Sequence, residues 1–343
     1  MYFAITWKNK EISLKELNIV NPKNIANVTW VLITFDTDKP ELLNTLWWII
    51  KRWEVIDRDN IWQESDWKKI LWTKDKDLWL KLKREFWIKR FKVVDRLHTD
   101  IDVKRKWIEI VRFHTNFAIV RWYQNIKLYE KIDFWKPSRS MKMGMMPAKL
   151  THIMLNIWLN ILDKIQKEDW VIIYDPFAWS WTTWFIANYL WYDFIWSDID
   201  IYHLENNQTR RAEQEESNNK IYDIFQHDIT QIIPDNKLQW NILIISEWRL
   251  GPIVTEKTRK SEISKFQAEV RELYKEFIYT ISETRKQHRT KAVFTIPYYI
   301  KYDNFLEKEI KNLSESLNRK FSSIDEIYSR EKQKVGRKII ILE

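Results

Sequence analysis

Between Asp175 and Asp200 the chain reads D-P-F-A-W-S-W-T-T-W-F-I-A-N-Y-L-W-Y-D-F-I-W-S-D-I-D, and its residue types and spacing are those of a nucleotide-binding loop with one change. Trp179, Trp181 and Trp184 stand at the spacing of G-x-G-x-x-G, after an apolar strand and at the opening of a helix, where glycine lets the backbone approach a ligand. Written with glycine there, the loop becomes D-P-F-A-G-S-G-T-T-G. Asp175, Pro176, Phe177, Trp179, Trp181 and Thr182 are then the candidate cofactor loop. Asp198, closing the next strand, is placed to accept from both hydroxyls of a ribose, with Asp200 behind it. Asp228, after a third strand position, is placed to meet an adenine amino group. Each carboxylate alone reads equally well as a helix cap or a turn. Together, at these intervals, they favour S-adenosylmethionine over NAD.

Composition points to the same change. The chain has 343 residues with 3 Gly and 22 Trp, and the two together restore the usual share of glycine, about 7%. We expect most of these tryptophans to be glycines encoded by UGA, a codon that some bacterial lineages read as glycine and other tables read as Trp. The alternative is a Trp-rich chain whose rings stack on bases or sit at a membrane interface. Against it, the tryptophans fall at turn positions, as in T-L-W-W-I-I-K (Thr45 to Lys51) and E-F-W-I-K-R (Glu85 to Arg90), where glycine belongs. The uncharged run Pro176 to Tyr192 is broken by Ser180, Thr182, Thr183 and Asn188 and is too short for a membrane span.

The chain has no cysteine, so disulfides, thiolate metal sites and iron–sulfur clusters are excluded. Its six histidines are scattered without ligand spacing, and no metal site is expected. Met1 to Lys10 has no charged-then-apolar leader pattern, so the expected compartment is the cytoplasm. Charge is uneven. Residues 1–140 carry 28 Lys and Arg against 19 Asp and Glu, whereas the remainder carries 29 of each. A basic half joined to a neutral one suits a polyanionic substrate, although Lys-rich codon usage alone also gives a basic surface. Lys51, Arg52, Lys89, Arg90 and Lys149 are the candidate RNA contacts, and Lys81, Lys83, Arg84 and Lys92 add to the basic cluster.

The elements that must position these residues follow from periodicity. In residues 1–140 the pattern predicts strands at Tyr2–Thr6, Asn27–Phe35, near Ile70, Phe91–Asp95, Trp107–Arg112 and Phe117–Trp122, with helices around Ser13–Leu17, near Asp38–Pro40 and over Asp75–Phe86. Ile132–Pro147, with Pro and Gly and few apolar residues, reads as a connector. Beyond it we expect helices at Ala148–Ile165, Thr182–Leu190, Ile263–Arg285 and Phe305–Leu317. Strands are expected at Val171–Asp175, Phe194–Ser197, Asn241–Ser246 and Ala292–Pro297, with a closing hairpin over Ile327–Leu342. Alternating strands and helices predict a doubly wound, mostly parallel sheet over 141–343.

The run Tyr123 to Trp158, together with D-P-F-A-W-S-W-T-T and T-L-W-W-I-I-K, resembles the tRNA guanosine-N2 methyltransferases that modify position ten. The similarity extends over nearly the full length and is weakest in 55–120. It implies a Rossmann-like class I methyltransferase sheet preceded by a basic α+β domain, ferredoxin-like and THUMP-like, that grips tRNA. The implied reaction is methyl transfer from S-adenosylmethionine to the guanine amine. The family's D-P-P-Y or N-P-P-Y turn falls at Glu247–Leu250, which here reads E-W-R-L before Gly251 and Pro252. Glu247 is the implied catalytic residue, able to accept a hydrogen bond from the target amine. The double proline and the stacking aromatic are absent. A DNA amino-methyltransferase and a non-catalytic RNA-binding protein that kept the fold stay open as alternatives.

Overall fold

The computed structural model describes residues 1–6, 10–27, 32–40, 43, 46, 49–56, 69–73, 80, 84, 91–94, 107–113, 116–124, 126–134, 145–163, 171–177, 182–200, 221–233, 241–247, 250–251, 254–255, 257–287, 290–329 and 333–343. Two compact units divide the chain, Met1–Leu128 and Tyr129–Glu343.

The first unit is built on an eight-stranded sheet of β1 (Tyr2–Thr6), β2 (Lys23–Asn27), β3 (Leu32–Asp36), β4 (Ile49–Ile56), β5 (Lys69–Thr73), β6 (Phe91–Val94), β7 (Trp107–Phe113) and β8 (Asn116–Tyr123). Their order is β2-β3-β1-β4-β8-β7-β5-β6. β5 runs parallel to β6 and β7, and the other pairs are antiparallel. Helix α1 (Lys10–Leu17) and a following 3-10 turn, Asn18–Val20, give Leu17, Ile19 and Val20 to a core with Ala4, Ile33, Phe35, Leu43 and Leu46. Alternation along β1 and β3 sends Ala4, Ile33 and Phe35 to that one face.

One expectation needs correction here. The stretch Asn27–Phe35 is two strands rather than one. Asn27 pairs with Ile33 and Ala26 with Thr34, antiparallel, so Asn27 and Leu32–Asp36 belong to different strands. The expected helix over Asp75–Phe86 and most of the connector lie outside the described residues.

Helix α2 (Ile126–Phe134) carries the chain over the boundary between the units, and α3 (Ala148–Asp163) belongs to the second. The Asp133 carboxylate accepts from the Ala148 amide at 2.8 Å and so caps α3. Residues Thr151 to Trp158 of α3 are all buried, as expected for a helix apolar on most of its circumference. The sheet comprises β9 (Val171–Asp175), β10 (Phe194–Asp198), β11 (Ile221–Gln226), β12 (Asn241–Glu247), β13 (Thr290–Tyr299), β14 (Phe321–Ser323) and β15 (Val335–Leu342), with α4 (Thr182–Tyr189), α5 (Lys260–Gln287) and α6 (Leu306–Ser316) between them. Strand order is β11-β10-β9-β12-β13-β15-β14. The first five are parallel, and β15 runs antiparallel to both β13 and β14.

Runs such as V-I-I-Y and N-I-L-I-I-S are uniformly apolar because parallel strands are covered on both faces. Val270, Tyr274, Phe277, Ile278 and Ile281 recur at helical spacing along α5 and pack with Ile172, Ile242, Ile244, Phe294 and Ile340. The closing hairpin also differs from expectation. β15 pairs with the three-residue β14, and near Ile327 there is a single bridge from Tyr328 to Arg337. Gly336 lies so close to Ile327 and Tyr328 that any side chain there would collide. Among the described residues, no helix is long and apolar enough to cross a membrane.

Candidate active site

The order of the parallel strands reverses between β9 and β12, and in such sheets ligands bind outside the carboxyl ends of the strands at that switch point. Asp175 closes β9. Its Oδ1 accepts from the Phe177 amide at 3.0 Å and from the Ser246 hydroxyl of β12 at 3.1 Å, tying the two strands together across the switch point. Burial pushes the Asp175 carboxyl up to about 7, with the Asp198 charge adding to the rise. The Thr183 hydroxyl, the Phe177 amide and the Ser246 hydroxyl hold it down. Thr182 and Thr183, both buried, open α4 beside it.

One strand away, Asp198 closes β10. Its Oδ1 accepts from the Asp200 amide at 2.9 Å, while its carbonyl accepts from the His227 amide at 2.9 Å. Asp228, just past β11, accepts from the Thr230 amide at 2.9 Å and the Thr230 hydroxyl at 2.8 Å. Asp175, Asp198 and Asp228 thus share one device: a carboxylate oxygen bonded to the amide two residues on, which fixes the side chain's direction at a strand end. Tyr174 and Ser197 share a buried hydrogen bond of 2.6 Å that couples β9 to β10 just below.

Glu247 closes β12, its side chain 3% exposed, and forms an ion pair with Arg337 of β15, itself 6% exposed. Beyond it, the Tyr299 hydroxyl donates to the Leu250 carbonyl at 3.3 Å. Gly251 has φ +84, and a Cβ there would lie 2.6 Å from the Tyr299 oxygen, so this turn requires glycine. Burial pushes the Tyr299 phenol up to about 12, keeping it a donor.

Asp175, Pro176, Phe177, Thr182, Asp198, Asp200, Asp228 and Glu247 therefore gather at the carboxyl edge of one sheet. Pro176 is buried, and Phe177 packs against the sheet's core. Lys149 is half-buried in the first turn of α3, four residues after Met145, whose carbonyl accepts from Arg337 at 3.5 Å. Lys51 and Arg52 lie on β4 of the first unit, their side chains outside the description, and Trp179, Trp181, Lys89 and Arg90 lie outside the described residues. Arg337 and Ser246 are new. The signal for Arg337 was the cation pair Arg337-Lys338 ahead of the apolar run I-I-I-L, since a buried guanidinium needs a carboxylate.

Two helix ends and two buried indole environments bear on the tryptophans. After α4, the Tyr192 amide bonds to the Ala187 carbonyl at 2.9 Å and the Trp191 amide to the Asn188 carbonyl at 3.1 Å, with Trp191 at φ 65 and 68% exposed. After α6 the same pair of bonds recurs, Arg319 to Ser314 and Asn318 to Glu315, with Asn318 at φ 54. This left-handed helix stop favours glycine, then asparagine. In α3, the Trp158 indole N–H is buried without a hydrogen-bond partner. Trp184 and Trp196 meet edge-on, centroids 5.9 Å apart, between α4 and β10.

No family model matches the sequence, and no curated protein matches it. Solved structures similar in fold include TYW2 of P. horikoshii in complex with MeSAdo, at 14% identity and TM-score 0.35 over 59% of this chain and 64% of that one. A methyltransferase from Pyrococcus furiosus matches at 12% identity and TM-score 0.38 over 63% and 93%. The N-terminal domain of human METTL16 in complex with SAH matches at 11% identity and TM-score 0.39 over 66% and 85%. This chain spans less than two thirds of the length of the TYW2 chain. At these scores the likeness assigns no role to any residue here.

Proposed function

We propose that this chain is an S-adenosylmethionine-dependent RNA methyltransferase whose target is the N2 amine of a guanosine in tRNA, and that its gene uses UGA for glycine. The observation that carries the reading is the row of three directed carboxylates, Asp175, Asp198 and Asp228, at consecutive strand ends beside the switch point. A carboxylate only accepts, which suits two ribose hydroxyls at Asp198 and an amino group at Asp228. Asp175 sits in a desolvated position that a cationic ligand would favour, because positive charge nearby restores its ionised form. The antiparallel β15 between β13 and β14 departs from the dinucleotide-binding order, which argues against NAD.

The cofactor, when bound, supplies an electrophilic methyl group. Asp198 would hold its ribose, Asp228 its adenine, and the loop after Asp175 its remaining length. Glu247 would accept a hydrogen bond from the target amine and orient its lone pair. The basic residues 1–140, read as a ferredoxin-like and THUMP-like region, would dock the RNA, and the base would be flipped into the domain over 141–343. Trp191 at a glycine-favouring helix stop and the unpartnered Trp158 indole support the recoding. With glycine at Trp184, α4 would close onto the sheet, as the third glycine of the motif allows.

The test is titration of S-adenosylmethionine into the full chain carrying glycine at Trp179, Trp181 and Trp184, followed by methyl incorporation into tRNA and into duplex DNA. Binding with transfer to tRNA is expected. Transfer to duplex DNA instead would favour the DNA amino-methyltransferase reading, and binding without transfer to any RNA would favour a non-catalytic binder.

A further inference from the structure

Arg337 is anchored more tightly than a strand residue needs to be. Its backbone N–H donates to the Tyr328 carbonyl at 2.8 Å and its carbonyl accepts from the Tyr328 amide at 2.9 Å, while β15 pairs it with Pro297 of β13. Its side chain reaches across β13 to Glu247 at the end of β12, and a terminal nitrogen also donates to the Met145 carbonyl at 3.5 Å ahead of α3. One guanidinium therefore joins β15, β12 and the approach to α3 around a single buried carboxylate. Among the described residues, the Tyr274 phenol of α5 also faces the Glu247 charge: it donates to the Thr295 carbonyl at 2.6 Å and is pushed up by burial and then by that charge.

A buried carboxylate beside a fixed guanidinium stays ionised and keeps one orientation. An isolated one in the same place would take up a proton, turning one acceptor oxygen into a donor and weakening the other as an acceptor. We propose that Arg337 is the positioning residue of the transfer site, holding Glu247 as an ionised, oriented acceptor for the target amine. The proposal rests on the reading of Glu247 given above. In this proposal Arg337 acts through its ion pair with Glu247.

The experiment uses the glycine-restored full chain with R337K, R337Q, E247Q and the double variant R337Q/E247Q. Cofactor affinity, kcat and KM for tRNA between pH 6 and 9 (a range of about three units around neutrality), and melting temperature are measured for each. R337Q is expected to lower kcat about tenfold with cofactor affinity unchanged, and to move the acid limb of the kcat profile to higher pH. R337K, which keeps the charge and loses the fork, should recover part of the rate. The double variant should be no slower than E247Q alone. If the losses in the double variant multiply, or if R337Q lowers cofactor affinity and melting temperature with no movement of the pH profile, Arg337 is a scaffold residue and the proposal falls. If E247Q is slow while R337Q keeps full turnover, the proposal alone falls. If E247Q keeps full turnover, the reading of Glu247 falls first.

Discussion

The Ser246 hydroxyl donates to Asp175 Oδ1 at 3.1 Å, joining the ends of β12 and β9 where the sheet changes direction. This bond keeps a buried carboxyl aimed at the crevice and lowers its appetite for a proton. S246A should therefore cost about 1 kcal/mol of stability and move the Asp175 titration, followed by carboxyl-labelled NMR, to higher pH.

Asp175 also makes stability depend on pH, with a sign that follows from its upward shift. The unfolded carboxyl titrates near its ordinary 3.8 and the folded one at about 7. Between these values the folded chain holds a proton that the unfolded chain has released, so stability falls as pH rises from about 4 to about 7 and levels off above. D175N keeps an oxygen to accept from Phe177 and Ser246 but removes the titration. Relative to the parent, D175N should gain on the order of 3–4 kcal/mol between pH 4 and pH 8 in urea titrations.

His152 contributes the opposite slope. It is fully buried in α3, its Nδ1 3.5 Å from the Tyr129 hydroxyl, and burial pulls its proton affinity well below the ordinary 6.5. The unfolded chain gains a proton below about 6.5 that the folded chain refuses, so this contribution to stability is lost as pH falls through that value. In H152Q the decline in melting temperature between pH 7 and pH 5 should be shallower than in the parent.

Trp191 and Asn318 offer a paired comparison, since they occupy the same helix-stop position with the same hydrogen bonds. A non-glycine residue in the left-handed region costs about 1–2 kcal/mol, and asparagine bears the least of it. W191G should raise the unfolding free energy by about 1 kcal/mol, and N318G should change it by less than about 0.5 kcal/mol. Equal effects at the two sites would remove the helix-stop argument for glycine at Trp191.

Much of the second unit was legible because its signals are local. The apolar runs of β9, β10 and β12, the spacing from Val270 to Ile281, and a strand–loop–helix context around Asp175 each need only a few neighbouring residues. The pairing of Glu247 with Arg337 was not legible, because it depends on β15 folding back beside β13 from 90 residues away. β14 escaped notice because three residues carry no period. The break between Asn27 and Leu32 was hidden for a different reason. Glycine is the strongest mark of a turn, and a chain written with tryptophan in glycine's place extends apolar runs through its own turns. The basic candidates of the first unit were read from charge alone, which marks a surface without giving its geometry.

The central claim is that bare backbone lines the loop between Asp175 and α4. It is tested most directly by mass spectrometry of the peptide spanning Asp175–Asp200 from the protein made in its own host. Each glycine in place of tryptophan makes the peptide about 129 Da lighter, the mass of the missing indole side chain. The account predicts that fragment ions place glycine at Trp179, Trp181, Trp184 and Trp191. Fragment ions carrying tryptophan at the first three would contradict it.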